Sequence, residues 1–143
     1  MLPEKVLVIQ TGNHADGLRS GIKQVRSQLP SSQIVVLCAA RLSQVALSIA
    51  QVNQVLVHSA ISETSLSDVP ERLLNLIELL KVEQFDAAIV LPDGNRSPYP
   101  AAYACYLAGI PVRGGVSCEF GGGVLSVCRA SIEEMLNTLR EAA

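Results

Sequence analysis

Three side chains able to do chemistry crowd one short stretch: Asn13, His14 and Asp16 in VIQTGNHADGLRSG, Val8–Gly21. An apolar run ends there and a helical pattern begins. A carboxylate on an exposed edge can take a proton from a substrate hydroxyl, so Asp16 is a candidate general base. Asp16 also stands where a helix N-cap is expected, and a capping carboxylate would satisfy free backbone N–H groups. A helix N-terminus favours the charged carboxylate and so weakens it as a base, whereas burial under a substrate strengthens it again. His14 is a rival base or a polar loop residue. A second polar loop, PDGNRSPYP, offers Arg96 and Ser97. Arg19, Lys23 and Arg26 follow Asp16 at spacings that align them on one side of a helix. Such a stripe is a solvated face or a contact for an anionic sugar or phosphate. Arg113 is a further cation, near a strand end.

Other chemistries fail on the residues. Gly12 and Gly17 have the spacing of a phosphate loop, but Leu18 and Arg19 follow where Lys and then Ser or Thr are needed. The dinucleotide fingerprint is missing as well: Gly12 has no glycine two positions on, and no acidic residue follows Cys38. Cys38, Cys105, Cys118 and Cys128 show no C-x-x-C spacing, and His14 and His58 lie far from them in sequence. No zinc site, and no other metal or cofactor, is expected. The cysteines read as small buried thiols.

The elements that must position these residues alternate regularly. KVLVIQ (5–10) is apolar without alternation, which fits a strand covered on both faces. Leu18, Ile22, Val25 and Leu29 recur at helical spacing over residues 16–29. Strands are then expected at QIVVLC (33–38), QVLVH (54–58), FDAAIVL (85–91) and IPVRGGV (110–116). Helices are expected at 41–52, at 69–83, from the Ala-rich stretch to about Leu107, and at 130–142. In the helix over 69–83, Leu73, Leu74, Ile77 and Leu80 should point inward. D-V-P-E at Asp68 and Ser131 with Glu134 read as capping boxes. This β-α order implies a three-layer, doubly wound, Rossmann-like α/β fold with a parallel sheet of about five strands. Ligands of such sheets meet the loops at the carboxyl ends of the strands, which sets Thr11–Asp16 and Pro92–Ser97 on one rim.

The 143 residues suit a single domain over 1–143, or half of a two-domain protein. With 49% apolar but only 3% aromatic residues, the core must be aliphatic. A net charge of −2 argues against nucleic acid as a partner. No apolar run approaches the roughly 18 residues of a membrane span. MLPEKVLVIQ lacks the features of a signal peptide, so a cytoplasmic protein is expected. A homo-oligomer is compatible with the sequence.

Three segments together resemble the N-terminal, acceptor-side domain of family 9 glycosyltransferases, the ADP-heptose:lipopolysaccharide heptosyltransferase group. They are VLVIQTGNHADGLRS, then LPSSQIVVLCAARLSQVAL with QVNQVLVH, then FDAAIVLPDGNRSPYPAAYACYLAGIPVRGGVSCEFGGGVLS. They cover most of residues 5–126. The chain departs from the family pattern at Gln10, where Arg is usual, at Ala15, where Gly is usual, and at Gly17, where an apolar residue is common.

The resemblance implies one half of a GT-B enzyme, with the acceptor held by the N-terminal domain and the nucleotide-sugar donor by a C-terminal one. In the family, an Asp opening the first helix is regarded as the base that activates the acceptor hydroxyl; Asp16 is the matching position. Gly12, Asn13, His14, Arg96 and Ser97, on the rim, are the candidate substrate-binding residues. The implied reaction is an inverting transfer that needs no protein-bound metal. No donor-binding domain follows Ser126 in these residues, so the chain is expected to be inactive by itself. The alternative is a non-catalytic module that binds a ligand or protein and retains the fold. A third option is another small-ligand receptor on a flavodoxin-like sheet.

Overall fold

Val6, Leu7, Val8 and Ile9 are all buried, so β1 (Lys5–Ile9) needs cover on both of its faces. The computed structural model describes residues 3–12, 14–61, 70–92, 99–116, 127–129 and 132–142, and it supplies that cover. After β1 come α1 (Ala15–Gln28), β2 (Gln33–Cys38), a 3-10 turn (Ala40–Leu42) and α2 (Ser43–Ser48). Then follow β3 (Gln54–Val57), α3 (Pro70–Glu83), β4 (Ala87–Val90), α4 (Tyr99–Leu107), β5 (Val112–Val116), β6 (Val127–Arg129) and α5 (Ile132–Ala142).

The strands form one sheet of six in the order β3-β2-β1-β4-β5-β6, and every pairing is parallel. The doubly wound α/β class expected from the sequence is therefore observed. The sixth strand, β6, falls in a stretch where no strand is expected from the sequence. Its three residues are too few to show a period of their own; pairing with Gly114–Val116 holds them.

Strand alternation divides the core in two. Leu7, Ile9, Val35, Leu37, Ala88 and Val90 meet α3 and α4 through Leu76, Ile77, Leu80, Ala102 and Cys105. Val6, Val8, Ile34, Val36 and Ile89 meet α1 and α5 through Leu18, Ile22, Val25, Met135 and Leu136. Apart from Phe85, both cores are built from aliphatic and small side chains, as the composition requires.

Two helices differ from expectation. In α3 the buried stripe is Leu76, Ile77 and Leu80 with Leu73 half-buried, and Leu74 is 62% exposed rather than inward. Residues 73, 76, 77 and 80 form one i, i+3, i+4, i+7 line, and position 74 falls beside it. The helix expected over 41–52 shrinks to the 3-10 turn and α2, because Ile49 turns extended and Asn53 bonds back to Ile34 across to β2. The capping boxes at Asp68 and Ser131 lie outside the described residues.

α1 is fixed at its carboxyl end and at its middle. At its carboxyl end, Arg26 donates to the carbonyls of Leu29, Pro30, Ser32 and Gln51 and to Asn53 Oδ1. Midway along the helix, Gly21 is buried against Leu91, just past β4. A Cβ there would stand 2.7 and 2.8 Å from the Leu91 methyls, so the missing side chain is what lets α1 settle on the sheet.

Candidate functional site

β1 lies between β2 and β4, and the chain leaves β1 and β4 toward opposite faces of the sheet. Ile9 pairs with Val90, and Leu91 N–H donates to the Ile9 carbonyl at 3.0 Å. The carboxyl ends of these two strands thus flank the topological switch point, where an open parallel sheet forms a ligand crevice.

The β1–α1 loop is built from the strand outward. Gln10 continues the ladder, its N–H bonded to the Leu37 carbonyl at 3.1 Å. Its side chain is fully buried, and Oε1 accepts from Gly12 N–H at 3.3 Å. Gly12 is buried beneath the loop. Asn13 lies outside the described residues.

The N-cap of α1 is His14, not Asp16. Its backbone is extended, its carbonyl accepts from Leu18 N–H at 3.0 Å, and its ring Nδ1 accepts from Gly17 N–H at 3.0 Å. Gly17 makes this fit: a Cβ there would lie 2.6 Å from Nδ1. Histidine is not among the favoured N-cap residues, so the neighbouring Asp drew the assignment. Because Nδ1 accepts a hydrogen bond, the neutral ring carries its proton on Nε2. In that tautomer His14 is an exposed donor, which disfavours it as the general base.

Released from capping, Asp16 sits in the first turn of α1 with its side chain 92% exposed. Oδ1 meets Arg19 Nη1 at 3.1 Å, one helical turn on. A carboxylate at that end of a helix interacts favourably with the macrodipole. Asp16 is therefore an exposed carboxylate in the first turn of the helix that follows β1.

The cations expected to share a stripe go separate ways. Arg19 pairs with Asp16, and Arg26 is consumed by carbonyls at the far end of the helix. Lys23 lines a groove of about 380 Å³ with Gln24, Ser27, Gln28, Glu133 and Leu136. That groove runs between the second half of α1 and the first turns of α5. Arg113 stands near the start of β5, where it bonds the Ile110 carbonyl at 2.7 Å and covers the Tyr106 ring at 5.2 Å. It belongs to the amino end of the sheet, opposite the crevice. Arg96 and Ser97 lie outside the described residues; Pro92, half-buried, is the last described residue after β4.

Cys38 and Cys105 are buried free thiols. Burial pushes Cys38 up to about 11 and Cys105 up to about 12, which keeps both protonated. Among the described residues no group of three or more His, Cys, Asp and Glu could hold a metal ion, and no helix is long and apolar enough to cross a membrane.

One residue that the sequence reading left as a bare departure proves central to the loop: Gln10. A polar residue directly after a strand buried on both faces was the available signal.

No protein-family model matches the sequence, and no curated protein sequence is significantly similar to it. Solved structures are similar. One is E. coli ADP-heptose LPS heptosyltransferase II, with a TM-score of 0.69 and 21% identity, over 92% of this chain and 40% of that one. Another is the family 9 glycosyl transferase from Veillonella parvula DSM 2008, with a TM-score of 0.65 and 14% identity, over 96% of this chain and 40% of that one. The chain thus spans 40% of the length of either protein. At these identities the likeness is one of fold, and it agrees with the resemblance drawn from the sequence: the chain has the doubly wound α/β fold of one part of a GT-B-like glycosyltransferase.

Proposed function

We propose that this chain is the acceptor-side domain of a glycosyltransferase, with Asp16 as the general base. The observation that carries the reading is the Asp16 carboxylate, free of capping and exposed beside the switch point. An acceptor hydroxyl gives its proton to Asp16 and attacks the anomeric carbon of a nucleotide-sugar donor. The nucleoside diphosphate leaves from the opposite face, with inversion. Arg19 holds one carboxylate oxygen and leaves the other directed at solvent, within reach of a substrate proton. Gly12, Asn13, His14, Arg96 and Ser97 make the acceptor contacts, His14 as a donor through Nε2. By analogy with the heptosyltransferase, the acceptor is a sugar of a lipopolysaccharide-type glycolipid, modified in the cytoplasm.

A second domain must supply the donor site. Stabilising the departing diphosphate is a large share of such catalysis. A positioned base contributes only about 10²–10⁴-fold, so the isolated chain should turn over little or nothing. A non-catalytic binding module is the second reading, favoured by the exposed ion pair that already occupies part of Asp16.

The test is diphosphate release from ADP- and UDP-sugars with saccharide acceptors, with and without an added donor domain. The proposal expects release only in the combined system and its loss in Asp16→Asn, with acceptor binding retained. Undiminished release by Asp16→Asn removes the base; saturable acceptor binding with no release in any combination leaves the module.

A further inference from the structure

Gln10 holds a hydrogen-bonding group that no described residue uses. Its side chain is completely buried, and its Oε1 accepts from Gly12 N–H. Its Nε2 is buried too and has no hydrogen-bond partner among the described residues. Turning the amide over gives no relief, because Nε2 would then face the Gly12 N–H, donor against donor. The orientation is therefore fixed by the loop, and two N–H donors have no acceptor among the described residues.

Their place is informative. Gln10 ends the central strand beside the switch point, on the face of the sheet that α1 covers, as strand alternation from Val6 and Val8 dictates. Buried polar groups are almost always satisfied, and one that is not calls for an occupant. The occupant needs an oxygen or nitrogen acceptor, and the donor offered is uncharged. A buried anion needs charged partners to offset its lost hydration, whereas a hydroxyl or ether oxygen needs only a hydrogen bond.

We propose that Gln10 is a binding residue of the rim whose Nε2 donates to an uncharged sugar oxygen, so that the site selects a neutral polyol over a phosphate or carboxylate. The inference deepens the acceptor-domain reading and rests on it. Gln10 does two jobs at once: Oε1 shapes the loop through Gly12, and Nε2 reads the ligand.

The side-chain NH2 signals of Gln10 in a ¹⁵N-labelled chain provide the test, assigned by their disappearance in Gln10→Glu. The probes are the methyl glycosides of glucose, galactose and mannose, against inorganic phosphate. A methyl glycoside should shift the Gln10 NH2 pair saturably, and phosphate should not. Gln10→Glu keeps an acceptor for Gly12 N–H but lacks both donors, and should bind the glycoside about tenfold more weakly. If Gln10→Glu fails to fold, the wild-type titration decides alone, with the pair assigned through the backbone. A glycoside that moves the Gly12 and Asp16 amides but not the Gln10 pair overturns the inference and leaves the acceptor-domain reading standing. A pair moved by phosphate and not by sugar overturns the selectivity. No response at the rim to any glycoside overturns both.

Discussion

Replacing Gly17 by alanine tests the architecture of the site at one atom. The added Cβ would lie 2.6 Å from His14 Nδ1 and 3.4 Å from Cγ, well inside contact distance to the ring nitrogen. The His14 ring is exposed and can swing away, so strain itself is small. What is lost is the Gly17 N–H to Nδ1 bond, and loss of an N-cap costs about 1 kcal/mol. Alanine is also about 1 kcal/mol better than glycine inside a helix. The two terms oppose each other, so Gly17→Ala alone should leave stability within about 0.5 kcal/mol of the parent. In a His14→Ala background no cap remains to lose, and the same change should stabilise by about 1 kcal/mol, roughly 3 °C in Tm for a chain of this size. The double-mutant cycle thus predicts a coupling of about 1 kcal/mol, read by thermal and urea unfolding of the four proteins. If Gly17→Ala stabilises equally with and without His14, the imidazole does not cap α1, and the argument that frees Asp16 from capping falls with it.

Three further outcomes follow from the packing and the thiols. Gly21→Ala should destabilise by about 1–3 kcal/mol despite its better helix propensity, because Leu91 is enclosed and cannot yield; Leu91→Val in the same chain should recover part of the loss in urea unfolding. Arg26→Ala should cost about 1–3 kcal/mol by stripping donors from carbonyls at the amino edge of the sheet, while ligand-induced shifts at Gly12 and Asp16 stay unchanged. Burial raises the folded thiols above the unfolded value of about 8.5, to about 11 for Cys38 and about 12 for Cys105. Their contribution is therefore complete below that unfolded value and is lost as pH rises through the folded ones. Between pH 9 and 10.5 each should cost the folded state about 1.4 kcal/mol per pH unit, and a Cys38→Ala/Cys105→Ala chain should lose that part of the slope.

The sheet was readable because its central strands β1, β2 and β4 are buried on both faces, and a run such as QIVVLC has no other stable use in a chain with so few aromatics. The crossovers followed from the helical spacing of Leu18, Ile22 and Val25. β6 was not readable, since three residues between loops carry no period. The start of α1 was misread by two positions. Composition favours Asp over His as a cap, and only the space left by Gly17 lets the imidazole do the work. Arg26 looked like part of one stripe with Arg19 and Lys23 because spacing shows which side of a helix a residue occupies, not which end of the sheet it reaches. The Gln10 amide needed coordinates, since an unmet donor is a property of everything around it.

Strand order also governs how this chain comes into being on the ribosome. β1 emerges first, yet one of its edges pairs with β2 through Lys5 and Gln33 and the other with β4 through Val6 and Ala87. Until β4 has cleared the exit tunnel, β1 keeps one bare edge. Such an edge invites pairing with neighbouring chains, so slow translation of the α3 segment would lengthen the interval in which a chaperone must shield it.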